Sequence, residues 1–175
     1  CNDMLVDSQG RAYVGNLGFD AFAQAPMQPA ELVLVKPDGQ ARVVAEDLLF
    51  PNGTVLTPDG RTLILAETFG RRLTAFDVAT DGSLSRRRVW AELGAVMPDG
   101  ICLDAEGAVW FGSPLTAEFI RVREGGDITD RIACTQPAIA CALGGVDGRT
   151  LFMLRGPTTQ PEATVAARSG RIDAL

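Results

Sequence analysis

Histidine is absent from the 175-residue sequence, and this absence removes several kinds of catalytic site. Within this chain there can be no Ser-His-Asp triad, no Cys-His dyad and no His-ligated zinc site. Hydrolytic chemistry would therefore depend on carboxylates, amides and a hard metal ion. Cysteine is also scarce. The four cysteines have no CxxC spacing, so a zinc ribbon or a thioredoxin-type redox motif has no support.

Long apolar runs and basic patches are missing as well. No apolar stretch approaches the ~20 residues of a membrane-spanning helix. The net charge is −6, and the single arginine run, 86–88, is read as an exposed strand or turn. We therefore expect no nucleic-acid partner and no membrane partner. Cys102 and Cys141 lie in apolar runs and are expected to be free core thiols, which indicates a reducing, cytoplasmic location.

The residues that are present form a repeat. Four segments share an apolar run, an Asp/Gly turn and a second apolar run, which is a hairpin signal. Each of the first three units contains a second hairpin, and a fourth begins after Ser169. Four short strands per ~40–50 residues are typical of a β-propeller blade. We therefore expect an all-β propeller, with about three and a half blades in this sequence and an incomplete blade at each end. The aligned turn glycines are Gly10, Gly60, Gly107 and Gly148.

Polar side chains occupy one shared position in three of these repeats. Counting back eight residues from the turn glycine gives Asn2, Asn52 and Asp99, whereas the fourth repeat has Ala140. Equivalent positions of successive blades lie at equal radius, so these side chains should meet at the mouth of the central channel. Their oxygen atoms predict a hard-cation site suited to Ca²⁺, Mg²⁺ or Mn²⁺. The alternative is that Asn52 and Asp99, each between a proline and a glycine, are ordinary turn formers.

The segments around these positions carry a family resemblance. They read Asn-Asp-Met at 2–4, Pro-Asn-Gly at 51–53 and Pro-Asp-Gly-Ile-Cys-Leu-Asp-Ala-Glu-Gly-Ala-Val-Trp at 98–110. Together they resemble the SMP-30/gluconolactonase/LRE-like family of regucalcin-like lactonases, as does the hairpin at 7–16. The resemblance covers essentially the whole chain and is weak after about Gly156. It implies that 1–175 is part of a six-bladed propeller domain with one divalent metal ion, Ca²⁺ first, with Zn²⁺, Mg²⁺ or Mn²⁺ as alternatives.

The resemblance also implies roles for individual residues. Asn52 and Asp99 would be metal ligands, and Asp99 would also be the catalytic residue that takes a proton from water. Asn2 would bind substrate, as would Asp20, which is the looser match. The segment 18–29 would cross the channel mouth. The family's remaining metal ligand, a Glu early in the first blade, has no counterpart here, so we expect a fragment with an incomplete metal shell, and whether it is active alone is left open.

The function that the resemblance implies is metal-assisted hydrolysis of a sugar-derived lactone, with the lactone as the small-molecule partner. Two alternatives stay open: a related metal-dependent esterase or phosphotriesterase, and a non-catalytic calcium-binding propeller. The oligomeric state is not predicted.

Four further positions have structural interpretations. Glu67 and Thr68 follow a strand and are expected in an exposed loop rather than in the channel lining. Trp90 and Trp110 are expected to pack between blades.

Overall fold

The computed structural model describes residues 1–21, 23–158 and 160–175, whose strands form four antiparallel sheets. In each sheet the strands are hydrogen-bonded in chain order, so each strand pairs with the one that follows it in the sequence. The first two sheets have four strands each. Their strands are β1 (Met4–Val6), β2 (Ala12–Gly15), β3 (Ala30–Val35) and β4 (Ala41–Leu48), then β5 (Pro51–Leu56), β6 (Thr62–Glu67), β7 (Arg72–Val78) and β8 (Leu84–Glu92).

The third sheet also has four strands, whereas the fourth has three. The short helix α1 (Pro161–Ala167) precedes the last strand. None of the helices in the described residues combines the length and apolarity that a membrane crossing requires. The strands of the third sheet are β9 (Ile101–Leu103), β10 (Val109–Ser113), β11 (Glu118–Val122) and β12 (Ile128–Ala133). Those of the fourth sheet are β13 (Ala138–Gly144), β14 (Thr150–Arg155) and β15 (Arg171–Ala174).

The first hairpin of each sheet closes as the repeat predicts. The four aligned glycines have φ between 69° and 78°, a left-handed conformation that favours glycine. In these turns the aspartate that follows the first strand accepts backbone N–H groups of the same turn, for example from Gln9 to Asp7 at 2.8 Å and from Ala108 to Asp104 at 2.9 Å. These aspartates are therefore turn formers, as the Asp/Gly turns of the repeat predict.

The first strands of successive sheets contact each other, β1 with β5, β5 with β9 and β9 with β13. Backbone hydrogen bonds join them, from Gly53 N to Asp99 O at 3.3 Å and from Gly100 N to Ile139 O at 2.9 Å. The first strands are thus innermost, and the four sheets are arranged as blades of a propeller, which confirms the predicted fold class. The first sheet has all four strands, so the expectation of an incomplete first blade is wrong.

Three hydrophobic clusters fill the spaces between neighbouring blades. Trp90 is 4% exposed in the cluster between the second and third sheets, and Trp110 packs against the cluster between the third and fourth. The interpretation of both tryptophans as interblade residues is confirmed. Cys102 and Cys141 are free thiols that belong to the last of these clusters, with sulfurs 3.6 Å apart, as predicted for core cysteines.

Two glycines allow the innermost strands to approach this closely. A Cβ at Gly53 would lie 2.5 Å from the Ile101 nitrogen, and one at Gly100 would lie 2.4 Å from the Ala140 Cβ. We expect Gly53→Ala and Gly100→Ala each to lower the free energy of unfolding by about 1–3 kcal/mol, because the backbones must separate. Urea denaturation measures this loss. Gly170→Ala is the control, since its Cβ would meet nothing nearer than 3.8 Å; an equal loss in all three variants would contradict the close-approach argument.

Candidate metal and active site

Three of the four predicted site residues come together at the inner ends of the first three blades. Asn2 precedes β1, Asn52 is the second residue of β5, and Asp99 lies two residues ahead of β9. All three line one cleft of about 560 Å³, together with Asp3. Ala140, the fourth equivalent position, is in β13 and has no polar side chain to contribute. The shared sequence register therefore corresponds to a shared place in the fold.

Hydrogen bonds fix the amide of Asn52. Its Nδ2 donates to Thr68 Oγ1 at 3.1 Å, and the Thr68 hydroxyl in turn donates to the Pro98 carbonyl at 2.8 Å. Because the threonine proton is directed at Pro98, the side chain that faces Thr68 must be a donor, which sets the orientation of the amide. In the described part of the chain no hydrogen bond within 3.5 Å is donated to Asn52 Oδ1. Asn52 is 7% exposed, and its Oδ1 is not among the fully buried unpaired side-chain atoms of the described residues, so this acceptor stays open to the cleft.

Asn2 also joins two blades. Its Nδ2 donates to the Pro51 carbonyl at 2.9 Å, so the first blade is tied to the residue directly before Asn52. The Asn2 backbone nitrogen donates to Gly15 O at 2.8 Å. The cleft position of Asn2 is compatible with substrate contact, and its substrate role stays a prediction.

Asp99 is a half-buried carboxylate without a cationic partner among the described residues. Burial raises the pKa of Asp99 to about 6, and the charge of Asp3 adds to this rise, whereas a hydrogen bond from Asn52 lowers it. Desolvation in the cleft also raises the pKa of Asp3. The pKa values of both carboxyl groups are raised, so their ionised forms are disfavoured in the cleft, and a bound cation would stabilise them.

The donor set tests whether a hard cation fits here. Two oxygen-bearing side chains line one cleft: the amide of Asn52, whose Oδ1 has no donor among the described residues, and the carboxylate of Asp99, which has no cationic partner among them. Amide and carboxylate oxygens are the ligands that Ca²⁺ and similar ions require. Among the residues that the structure describes, no group of three or more histidine, cysteine, aspartate or glutamate side chains could hold a metal ion. The acidic residues that line this cleft in the described part of the chain are Asp99 and Asp3. Amide oxygens would therefore have to supply the further contacts to a cation.

Asp20 lies apart from these groups. Its side chain is exposed and accepts the backbone N–H of Ala23 at 2.9 Å, so it stabilises its own turn. It is not among the described residues that line the cleft, and its substrate role stays a prediction. The predicted mouth segment 18–29 does reach the cleft through Ala21; its residue Phe22 lies outside the described residues.

Glu67 and Thr68 are not in an exposed loop, so that expectation is wrong. Glu67 ends β6 with 0% exposure, and Thr68 lines the cleft and orients Asn52. The carboxylate of Glu67 accepts hydrogen bonds from Arg72 at 3.0 Å and from Leu49 N at 2.8 Å, as well as from Thr74. The acid–arginine pairing at the strand end, Glu67 with Arg72, was a signal in the sequence, because the two residues flank a four-residue turn.

The fold is therefore a β-propeller whose inner strand ends bring amide and carboxylate oxygens into one cleft. The sequence profile of the SMP-30/Gluconolactonase/LRE-like region matches residues 1–156, so the chain belongs to this family.

Individual relatives agree with this assignment. The chain is 27% identical over 156 residues to a 6-deoxy-6-sulfogluconolactonase of Pseudomonas putida, an alignment covering 87% of this chain and 52% of the relative. It is 26% identical to regucalcin of Danio rerio, with the same coverage. A gluconolactonase structure from Xanthomonas campestris aligns with a TM-score of 0.73 and 27% identity, covering 89% of this chain and 54% of that one. The chain thus spans about half the length of these relatives.

Proposed function

We propose that this protein is a lactone hydrolase that works with a divalent cation held by Asn52 and Asp99. The observation that carries the proposal is the convergence of an amide oxygen and an unpaired carboxylate, at equivalent positions of neighbouring blades, in one cleft. Membership in the family, and a lactonase and a gluconolactonase among its relatives, support lactone as the substrate class. We also propose that residues 1–175 form part of one propeller domain.

The cation would be coordinated by the Asn52 Oδ1 and the Asp99 carboxylate. When bound, it would polarise the lactone carbonyl and stabilise the negative charge that develops on its oxygen. Ca²⁺ is the ion we propose, because a set of oxygen donors with a neutral amide suits this cation. The sugar-derived nature of the lactone and the cytoplasmic location stay predictions.

The residues of the chain supply the proton transfer and the positioning. In the cation-free protein the pKa of Asp99 is about 6, and the charge of a bound cation would lower it, so Asp99 would be ionised at neutral pH and able to accept a proton. It would accept a proton from the attacking water. Thr68 fixes the Asn52 amide, and Asn2 would orient the lactone from the first blade. The arrangement needs no histidine, in agreement with the composition.

Acid release from lactones tests this proposal. We expect hydrolysis that a chelator stops and Ca²⁺ restores, and we expect Asn52→Ala to lower kcat/KM by roughly 10²-fold or more because an oxygen ligand is lost. Asp127→Asn, an exposed turn carboxylate on the third sheet, is the matched control and should keep full activity.

A phosphotriester substrate and calorimetry with Ca²⁺ separate the alternative functions. Preferred turnover of a phosphotriester would indicate the esterase or phosphotriesterase function. Ca²⁺ binding measured by calorimetry, with no turnover of any lactone or ester, would indicate a calcium-binding propeller and would contradict the proposed hydrolase.

A further inference from the structure

Apolar side chains surround the oxygen donors at repeated positions of the blades. Three of them lie two residues beyond the end of the second strand of the first, second and third sheets. Two others lie two residues ahead of Asn52 and Asp99. All of them line the same cleft as the oxygen donors. We call these five residues the apolar collar: Leu17, Phe50, Phe69, Met97 and Leu115.

The collar leaves apolar surface uncovered next to the site. The rings of Phe50 and Phe69 pack with centroids 4.6 Å apart, and Phe19 contacts both at 6.1 and 6.2 Å. Phe69 nevertheless stays 39% exposed and Leu115 75% exposed. A preformed aromatic wall beside an uncovered leucine, at the rim of a polar site, is a surface that an apolar group can cover.

The backbone of Phe50 is held in an unfavourable conformation to form this wall. Its φ is 60°, in the left-handed region that a bulky side chain rarely adopts. The carbonyl of Phe50 accepts the Thr68 N–H at 3.1 Å, and Glu67 holds the preceding residue, Leu49, through its N–H. Strain of this kind persists where the surroundings impose it and clusters at functional sites. The placement of the Phe50 ring is therefore imposed by the second blade.

The polar groups of the cleft offer few free donors. The Asn2 amide donates to Pro51, the Asn52 amide to Thr68, and the Thr68 hydroxyl to Pro98. The rest of the polar side-chain lining in the described residues consists of the carboxylates of Asp3 and Asp99, the amide of Gln160 and the thiol of Cys1, without lysine or arginine. An anionic substituent therefore finds no cationic side chain in this lining and faces the two carboxylates.

We propose that the cleft accepts an uncharged lactone with an apolar substituent, which the apolar collar contacts while the lactone ring lies at Asn52 and Asp99. This inference rests on the proposed function for the ring-opening step. It differs from the sugar-derived lactone that the family resemblance implies, because it follows from the lining of this cleft.

The ratio of kcat/KM for γ-nonalactone to that for γ-butyrolactone measures the collar, because the two lactones share a ring and differ by one pentyl chain. We expect a ratio on the order of 10 or more, since the chain buries several methylene groups. Leu115→Ala and Phe69→Ala should reduce the ratio roughly threefold or more. Val146→Ala, fully exposed in a turn of the fourth sheet, should leave it unchanged. A γ-lactone whose chain ends in a carboxylate should be turned over at least about tenfold less efficiently.

A lactam of the same shape separates this inference from the proposed function. The γ-pentyl lactam is not hydrolysed under these conditions, so calorimetry with it reports binding alone. If no lactone is hydrolysed, the proposed function fails, yet tighter binding of the pentyl lactam than of the unsubstituted lactam, weakened by Leu115→Ala, still supports the collar. Equal affinities for both lactams, or equal kcat/KM for both lactones, would overturn it. Because Leu115 is largely exposed, loss of folding does not confuse its result.

Discussion

Replacing Asp99 with asparagine is expected to stop lactone hydrolysis while making the chelator-treated protein more stable. The loss of activity should be roughly 10²–10⁴-fold, because the proton acceptor is removed. The gain in stability follows from the raised pKa of Asp99, about 6, which shows that the folded protein disfavours the ionised carboxylate. At pH 7 the neutral amide should add about 1–3 kcal/mol to the free energy of unfolding, allowing for solvent screening.

The pH dependence gives this prediction a definite sign. The folded pKa of Asp99 lies above its unfolded value of 3.8, so its contribution to stability is greatest below about pH 4. That contribution is lost as the pH rises towards 6 and is constant above it. The stability difference between Asp99→Asn and the wild type should therefore grow from pH 4 to pH 6 in chelator. Ca²⁺ should stabilise the wild type more than the variant, whereas Asp127→Asn should match the wild type throughout.

The second large effect is expected when the charge of Glu67 is removed, which should strongly lower the free energy of unfolding. Glu67→Gln would leave the Arg72 and Arg87 guanidinium groups facing an uncharged buried side chain. Breaking a buried ion pair in this way costs about 3–5 kcal/mol. Activity should fall as well, because Glu67 holds the backbone of Leu49 beside the cleft wall. Chemical denaturation and kcat/KM measure the two effects.

The same residue predicts acid sensitivity. Burial raises the pKa of Glu67, but hydrogen bonds from Arg72, Thr74 and the Leu49 N–H outweigh it and hold the pKa below its usual value. A depressed folded pKa stabilises the protein above the unfolded value near 4.5, and this stability is lost as the pH falls. Glu118→Gln, at a half-exposed pair with Arg131, is the matched control and should cost less than about 1 kcal/mol. A loss equal to that of Glu67→Gln would show that burial is not the cause.

The fold could be predicted from sequence because its signals are local and repeated. Asp/Gly turns at a spacing of 40 to 50 residues define hairpins, since glycine at a left-handed φ is required by the turn itself. The shared register of Asn52 and Asp99 within those repeats then predicted that their side chains meet, because equivalent positions of successive blades lie at equal radius. The family membership agrees with both.

Residues whose roles depend on distant partners could not be found in this way. Thr68 acts through Pro98, thirty residues away, and Glu67 binds the backbone of Leu49 on a neighbouring turn. In the sequence both residues follow a strand and resemble an exposed loop, and only the nearby Arg72 pointed to a partner for Glu67. Their burial is decided by how the blade edges meet, which no local pattern records.

The amino-acid sequence by itself determined the strands, the turns and the common position of the oxygen donors, because hydrogen bonding and glycine conformation act between near neighbours. The tertiary structure alone decided which donors are already used, that Asp99 lacks a cationic partner in the described residues, and that Phe50, Phe69 and Leu115 line one wall. Desolvation and charge depend on everything packed around a group, so the chemistry of the cleft becomes visible when the blades are brought together.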